Sequence, residues 1–171
     1  MGGGVKLFDL LVPIGNGKAK IQEDQILEKG TFPVITQESD RLIAGYTDVP
    51  DAITDLPLIV FGDHTCVFKY VDFPFVRGAD GVQLLKADES KILMRYLCGY
   101  LQTQSIENMG KYERHFKYLK QMLIPVPPLS EQKKIVAEVV KYESEIAKAK
   151  EVMDSAPVRK QAILRKYGVI A

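Results

Sequence analysis

The stretch VFGDHTCVFKY, residues 60–70, places an acid, a histidine, a threonine and a thiol side by side behind an apolar run. These residue types can supply a nucleophile, its base and an orienting acid. If they continue a strand, Asp63 and Thr65 share one face, and His64 and Cys66 share the other. A Cys66–His64 pair is then geometrically possible. Because nothing nearby indicates an oxyanion hole, we expect no catalytic residue here.

Other catalytic and metal-binding patterns are incomplete. The stretches DLPL (55–58) and DFPF (72–75) lack the first proline of the tetrad that marks amino-methyltransferases, and no glycine-rich cofactor loop follows a first strand. The thiols and imidazoles are not spaced as in a compact zinc site. These side chains are His64, Cys66, Cys98 and His115. We expect neither a metal nor a cofactor.

The first half of the chain must position these residues, and its pattern predicts strands. Short apolar runs alternate with turn signals such as GNGK (15–18) and GADG (78–81). The run LPLIVF is continuous, which favours a central strand buried on both faces. The clearest predicted strands cover residues 31–36, 56–61, 66–71 and 81–86. The fold class is predicted to be α+β, with a strand-rich globular domain over 1–129.

The second half predicts helices. Residues 89–104 follow a helical period, and the prolines of MLIPVPPL (122–129) favour an extended segment. Ser130 is a predicted N-cap, and Pro157 should kink or restart the helix before Gly168 ends it. We therefore expect a second domain over 130–171, a long helix that projects from the first.

The long helix carries an apolar stripe with alternating spacings of four and three residues, which is typical of a coiled-coil seam. Such a stripe requires a partner helix, although it could instead pack on the domain's own sheet. The predicted seam consists of Ile135, Val139, Tyr142, Ile146, Ala149 and Met153.

Charge is unevenly distributed although the net charge is only +1. Residues 1–88 contain 8 Lys and Arg against 13 Asp and Glu, whereas residues 89–130 contain 6 against 3 and residues 131–171 contain 9 against 6. Cations and aromatic residues alternate over 108–120, a composition that suits contact with phosphates and bases. A solvated face over a few core aromatics would have the same composition.

No run of 18 or more apolar residues occurs, and no secretory signal pattern opens the chain. The residues Gly2, Gly3 and Gly4 indicate a flexible lead-in. The two cysteines lack CxxC spacing, which favours a reducing compartment. We expect a cytoplasmic protein without a membrane segment.

A family resemblance enters at IPVPPLSEQKKIV, residues 124–136. This stretch fits the pattern I-P-x-P-P-x-x-E-Q-x-x-I. The sequence here resembles the specificity subunits of type I restriction-modification systems, in which this pattern marks the point where a target-recognition domain continues into a long helix. Similar segments elsewhere are VKLFDLL, FPVITQES, FGDHT and FPFVRGADGVQLL. The matching junction positions are Ile124, Pro125, Pro127, Pro128, Glu131, Gln132 and Ile135.

The resemblance implies a non-catalytic subunit that reads double-stranded DNA for a partner adenine methyltransferase and endonuclease. Its implied protein partners are the modification subunit and the restriction and translocation subunit, with self-association possible through the long helix. A full specificity subunit has two recognition domains and two helices, whereas this chain has one of each. It would then be a half-subunit, a fragment, or the C-terminal recognition domain of a fused N6-adenine methyltransferase.

Two other classes of function stay open: an assembly module that does not read DNA, and an enzyme built around Asp63, His64 and Cys66. If DNA reading is correct, we expect contacts from loops. The resemblance makes residues 63–65 a polar turn that either fixes the backbone or faces DNA, with Cys66 in the core. Predicted base contacts are Thr36, Gln37 and Ser39; predicted phosphate contacts are Lys69, Arg77, Lys111, Arg114 and Lys117; His64, Thr65, Tyr112 and His115 suit either.

Overall fold

The computed structural model describes residues 3–79, 81–104 and 115–169 of the 171-residue chain. The chain forms two compact units, Met1–Lys133 and Lys134–Ala171. The strands are β1 (Val5–Lys6), β2 (Lys20–Ile21), β3 (Phe32–Ile35), β4 (Gly45–Thr47), β5 (Leu58–Gly62), β6 (Phe68–Val71), β7 (Val76–Gly78), β8 (Val82–Leu85) and β9 (Leu123–Ile124). The helices are α1 (Met94–Gln102), α2 (Phe116–Leu119) and α3 (Leu129–Lys166).

The described strands form three sheets in the first unit. One has the order β2-β7-β3-β4, with β2, β7 and β3 parallel and β4 antiparallel to β3. The second is antiparallel, in the order β6-β5-β8. In the third, β1 pairs with β9, with Val5 opposite Ile124. This last pair joins the beginning of the unit to the segment just before α3.

Strand β5 lies at the centre of the core. All five of its residues are buried, and their side chains alternate between two apolar clusters. Ile59 and Phe61 pack with residues of α1, such as Leu97, in the main cluster. Leu58 and Val60 pack in the second cluster. The predicted central strand is confirmed, because its continuous apolar run supplies both faces.

The four predicted strands are all present, but the one predicted over 66–71 begins two residues late, at Phe68. Cys66 has a positive φ of 57°, which belongs to a turn and not to a strand. It is half-buried against the main cluster, consistent with the predicted core position. The predicted helix over 89–104 is also shorter than expected. A separate turn around Asp88, with Lys91 N–H donating to its carbonyl, delays the start of α1 to Met94.

Gln132 fixes the start of the long helix within the first unit. Its side chain is completely buried, and its Oε1 accepts the Leu93 N–H at 2.8 Å. Its Nε2 donates to the carbonyls of Lys91 at 3.1 Å and Pro127 at 2.8 Å. Helix α3 begins at Leu129, so Ser130 is inside the helix and is not the predicted N-cap.

Helix α3 continues through Pro157, so the helix does not restart there, which was one of the two expected outcomes. A proline removes one backbone hydrogen bond, to the carbonyl four residues earlier. That carbonyl belongs to Met153, whose surroundings are exposed, so water can solvate it. Gly168, with φ of 69°, ends the helix as predicted. Its N–H donates to Arg165 and the Val169 N–H donates to Leu164, which together form a Schellman motif.

The predicted seam side chains are exposed in the single chain, from 38% for Ile135 to 73% for Met153. The remaining seam positions, Val139, Tyr142, Ile146 and Ala149, are exposed as well. Of the helices that the structure describes, none is long and apolar enough to cross a bilayer.

Asp55 links two loops at the surface and gives a testable pH dependence. It pairs with Lys86, and its Oδ2 accepts the Gly15 N–H at 2.8 Å. The hydrogen bond from Lys86, followed by that from Gly15, holds the pKa of Asp55 below its usual value. The ionised carboxylate therefore stabilises the fold above its unfolded pKa of about 4, and this contribution disappears as pH falls through the lower folded pKa.

We expect Asp55→Asn to lower the urea midpoint at neutral pH, and the difference from wild type to shrink as the solution is acidified below about pH 4. Asp154→Asn, at an exposed position of α3, is the control and should leave the urea midpoint unchanged at neutral pH and below about pH 4. A difference for Asp55→Asn that stays constant across this range would contradict the assignment.

Candidate nucleic-acid interface

Three connections meet at one edge of the sheets, and we call them the loop cluster: residues 36–41 after β3, residues 63–65 between β5 and β6, and Gly81 between β7 and β8. The sheet topology brings them together. Because β3 and β7 are parallel neighbours, both end at the same edge. The pairing of Gly62 with Val82 places the end of β5 beside the start of β8.

Hydrogen bonds across the chain fix the loop cluster internally. The Thr65 hydroxyl donates to the Gln37 carbonyl at 2.6 Å, and the His64 N–H donates to Gln37 Oε1 at 3.2 Å. The Asp63 N–H donates to the Gly81 carbonyl at 2.7 Å. Gly81 has φ of 61°, and a Cβ there would lie 2.5 Å from Gln37 Oε1. The positive φ favours glycine at this position, and a Cβ would also displace the end of the Gln37 side chain.

Asp63 attaches the beginning of α2 to the same cluster. Its carboxylate, which is buried, accepts the Phe116 N–H at 2.7 Å. Its carbonyl accepts the His115 N–H at 3.2 Å and lies 2.9 Å from His115 Nδ1. The turn at 63–65 therefore fixes the local backbone, which is one of its two expected roles. One oxygen of the Asp63 carboxylate is bonded to a backbone amide, which disfavours its use as the orienting acid of a nucleophile.

The Lys69 side chain stabilises loop 36–41 by hydrogen bonding to its backbone. It is buried, and its ammonium group donates to the carbonyls of Thr36 at 2.9 Å and Arg41 at 2.7 Å. Burial lowers the pKa of Lys69, while the carboxylates of Glu38 and Asp40 act in the opposite direction. This placement disfavours the predicted phosphate contact, because the amine is covered and already bonded to the loop that it supports.

Sequence reasoning did not select Glu38 and Arg41, which the structure adds to the loop cluster. Arg41 Nε lies 2.7 Å from Glu38 Oε2, and Arg41 Nη2 donates to Glu38 Oε1 at 3.4 Å. Arg41 also lines a groove of about 510 Å³ between loop 36–41 and β6. The sequence signal was available: opposite charges three residues apart in a polar loop directly after a strand.

The other predicted contacts fall into four groups. Ser39, His64 and Lys117 are exposed, and the Lys117 ammonium lies 5.1 Å from the centre of the Tyr118 ring. Arg77 is half-buried on β7, and its Nε has no hydrogen-bond partner among the described residues. His115 is buried, which disfavours its predicted contact with DNA. The predicted contacts Lys111, Tyr112 and Arg114 lie outside the described residues.

Within the described ranges, no group of three or more His, Cys, Asp and Glu side chains could hold a metal ion. What the loop cluster does offer is exposed hydrogen-bonding groups and one exposed cation, Arg41, on a braced backbone. These are the groups that proteins use to contact base edges and phosphates.

Comparison with known proteins identifies the family. Residues 5–152 match the family described as type I restriction modification DNA specificity domain. The chain belongs to this family. The expected resemblance to type I specificity subunits is therefore confirmed, and the matched region includes the whole loop cluster and the Gln132 junction.

Two relatives place this DNA specificity domain further. It is 31% identical over 103 residues to the type I restriction enzyme EcoR124I/EcoR124II specificity subunit from Escherichia coli, covering 57% of this chain and 25% of that subunit. It matches the crystal structure of the HsdS subunit from Thermoanaerobacter tengcongensis with a TM-score of 0.59 and 19% identity, over 95% of this chain and 43% of that one. The second match confirms the α+β fold with its long C-terminal helix. The chain spans less than half the length of either relative.

Proposed function

We propose that this chain recognises a specific double-stranded DNA sequence through its first unit, as one recognition domain of a type I specificity subunit. The observation that carries the proposal is the braced loop cluster inside the family-matched region. Base reading requires side chains held in fixed positions, and backbone and side-chain bonds fix these loops in the absence of DNA. The domain would not be catalytic itself.

The proposed partners follow from the family. A modification subunit carrying adenine methyltransferase activity and a restriction and translocation subunit would act at the site that this domain selects. The chain would serve as a half-subunit, as part of a longer subunit, or as the recognition domain of a fused methyltransferase. Because the proposed target is DNA, we propose the cytoplasm as its location.

Within this proposal, we assign the predicted contact residues to positioning, base contact or phosphate contact. Thr36, Gln37 and Thr65 have loop-bracing bonds, so their main role would be positioning. Ser39 and His64, which are exposed, are better placed for base edges. The proposed phosphate contacts are Arg77 and Lys117, together with Lys111 and Arg114 from the sequence.

Phosphate contact by Lys117 is tested with the single substitution Lys117→Ala. Each phosphate that a cation neutralises contributes about −0.9 to the slope of log affinity against log salt concentration. We expect Lys117→Ala to weaken binding to all duplexes by a similar factor and to make this slope shallower by about one. Lys148→Ala, on exposed α3, should change neither quantity. An unchanged slope for Lys117→Ala would remove Lys117 from the interface.

The exposed seam on α3 supports a second proposal, pairing with another long helix, either from a second copy or from a longer subunit. The seam would also suit an assembly module that does not read DNA. Two measurements distinguish DNA recognition from assembly alone: the association of the Ile146→Lys variant, and the preference of the wild-type chain among DNA sequences. If Ile146→Lys abolishes association and the wild-type chain shows no sequence preference, the assembly function is favoured.

A further inference from the structure

We infer that Arg41 reads a guanine in the DNA major groove and that Glu38 is its positioning residue. This inference rests on the proposed DNA recognition. It assigns one base type and one side chain to the loop cluster.

The backbone of Arg41 is fixed before DNA arrives. Its carbonyl accepts a hydrogen bond from the buried Lys69 ammonium, which also holds the carbonyl of Thr36 at the other end of the loop. The Gln37 carbonyl accepts a hydrogen bond from the Thr65 hydroxyl. Three carbonyls of a six-residue loop are thus bonded to side chains of the neighbouring hairpin. A loop held in this way loses little conformational freedom on binding.

The side chain of Arg41 is oriented as well. Glu38 lies beside the guanidinium: its Oε2 forms an ion-pair contact with Nε at 2.7 Å, and its Oε1 accepts a hydrogen bond from Nη2 at 3.4 Å. Arginine has five N–H donors. The end of the group, formed by Nη1 and the second Nη2 hydrogen, remains as a two-donor fork. The side chain is 54% exposed, so this fork is accessible to a ligand.

The chemistry of that fork selects guanine. Guanine presents two adjacent acceptors, O6 and N7, in the major groove, and a bidentate arginine is the commonest specific contact to them. Charge argues against a phosphate ligand. Glu38 and Asp40 lie close to the Arg41 guanidinium and offset its charge, so they weaken its attraction for a phosphate. A base edge offers acceptors without net charge, and the carboxylates do not repel it in the same way.

A selection experiment tests this inference on the full chain. Duplexes with a randomised central segment are selected by wild type and by variants at low salt. We expect wild type to select a motif containing at least one guanine that Arg41→Ala no longer prefers, with a loss of about ten- to a hundredfold at that position alone. Arg41→Lys keeps the charge but lacks the planar fork, so it should retain only part of the preference. Arg159→Ala, an exposed arginine of α3, should select the wild-type motif.

Two further measurements separate base reading from a structural effect. Replacing the selected guanine by 7-deazaguanine removes N7, and it should weaken wild-type binding but leave Arg41→Ala unaffected. Glu38→Gln removes one negative charge from the interface. It should reduce the guanine preference while it raises affinity for non-selected duplexes, a combination that simple destabilisation would not produce.

The opposing outcomes are distinct. A wild-type motif that Arg41→Ala also selects overturns the inference and leaves the proposed function intact, as does a uniform affinity loss across all duplexes. A wild-type chain that selects no motif overturns both.

Discussion

Replacing Gln132 by leucine is expected to lower the free energy of unfolding by about 3 kcal/mol. The side chain is completely buried and joins the Leu93 N–H to the carbonyls of Lys91 and Pro127. Leucine fills a similar volume but leaves one donor and two acceptors without their partner. Each buried group that loses its hydrogen bond costs about 1–3 kcal/mol, and partial access to water would reduce the sum.

Urea unfolding of the full chain, followed by circular dichroism and tyrosine fluorescence, measures this effect. Gln161→Leu, on the exposed surface of α3, is the matched control and should change the stability by less than about 0.5 kcal/mol. Equal midpoints for the two variants would mean that the three hydrogen bonds do not stabilise the junction.

Replacing Asp63 by alanine should cost about 2 kcal/mol of stability and also reduce sequence-specific DNA binding. The substitution removes the carboxylate that accepts the Phe116 N–H, so α2 loses its side-chain attachment to the loop cluster. Its backbone bonds to Gly81 and His115 can persist in the variant. The loss is therefore limited mainly to one buried, charge-assisted hydrogen bond.

Asp63→Asn is the informative companion, because its amide oxygen can still accept the Phe116 N–H without the charge. We expect it to lose about half as much stability as Asp63→Ala and to retain most of its DNA preference. Thermal unfolding and binding to the selected duplex measure the two effects. If both variants are as stable as wild type, the attachment of α2 does not depend on this carboxylate.

Much of the fold follows from local sequence pattern. The run LPLIVF predicts a central strand because a strand buried on both faces needs apolar residues at every position. The junction motif identifies Gln132 as important, but its burial depends on Lys91 and Leu93, about 40 residues earlier in the chain. The first property is local and the second is tertiary, so only the first was predictable.

The candidate site illustrates the same distinction. Residue type and approximate position gave Thr36, Gln37 and Lys69 as predicted DNA contacts. Their actual partners lie 27 to 33 residues away, and no local pattern shows that a lysine ends beneath a loop. The restart predicted at Pro157 does not occur, although proline strongly disfavours a helix interior. The carbonyl that loses its partner there lies on an exposed part of the helix, where water can solvate it.

The pairing of β1 with β9 brings the two ends of the globular unit together. Val5 lies opposite Ile124, so the chain enters and leaves the globular unit at adjacent strands. A domain whose two ends are neighbours can be inserted into a host chain without separating the flanking segments. Under the proposed function, exchanging one such unit for another of the same build would change the DNA sequence that is recognised and leave the host's architecture in place.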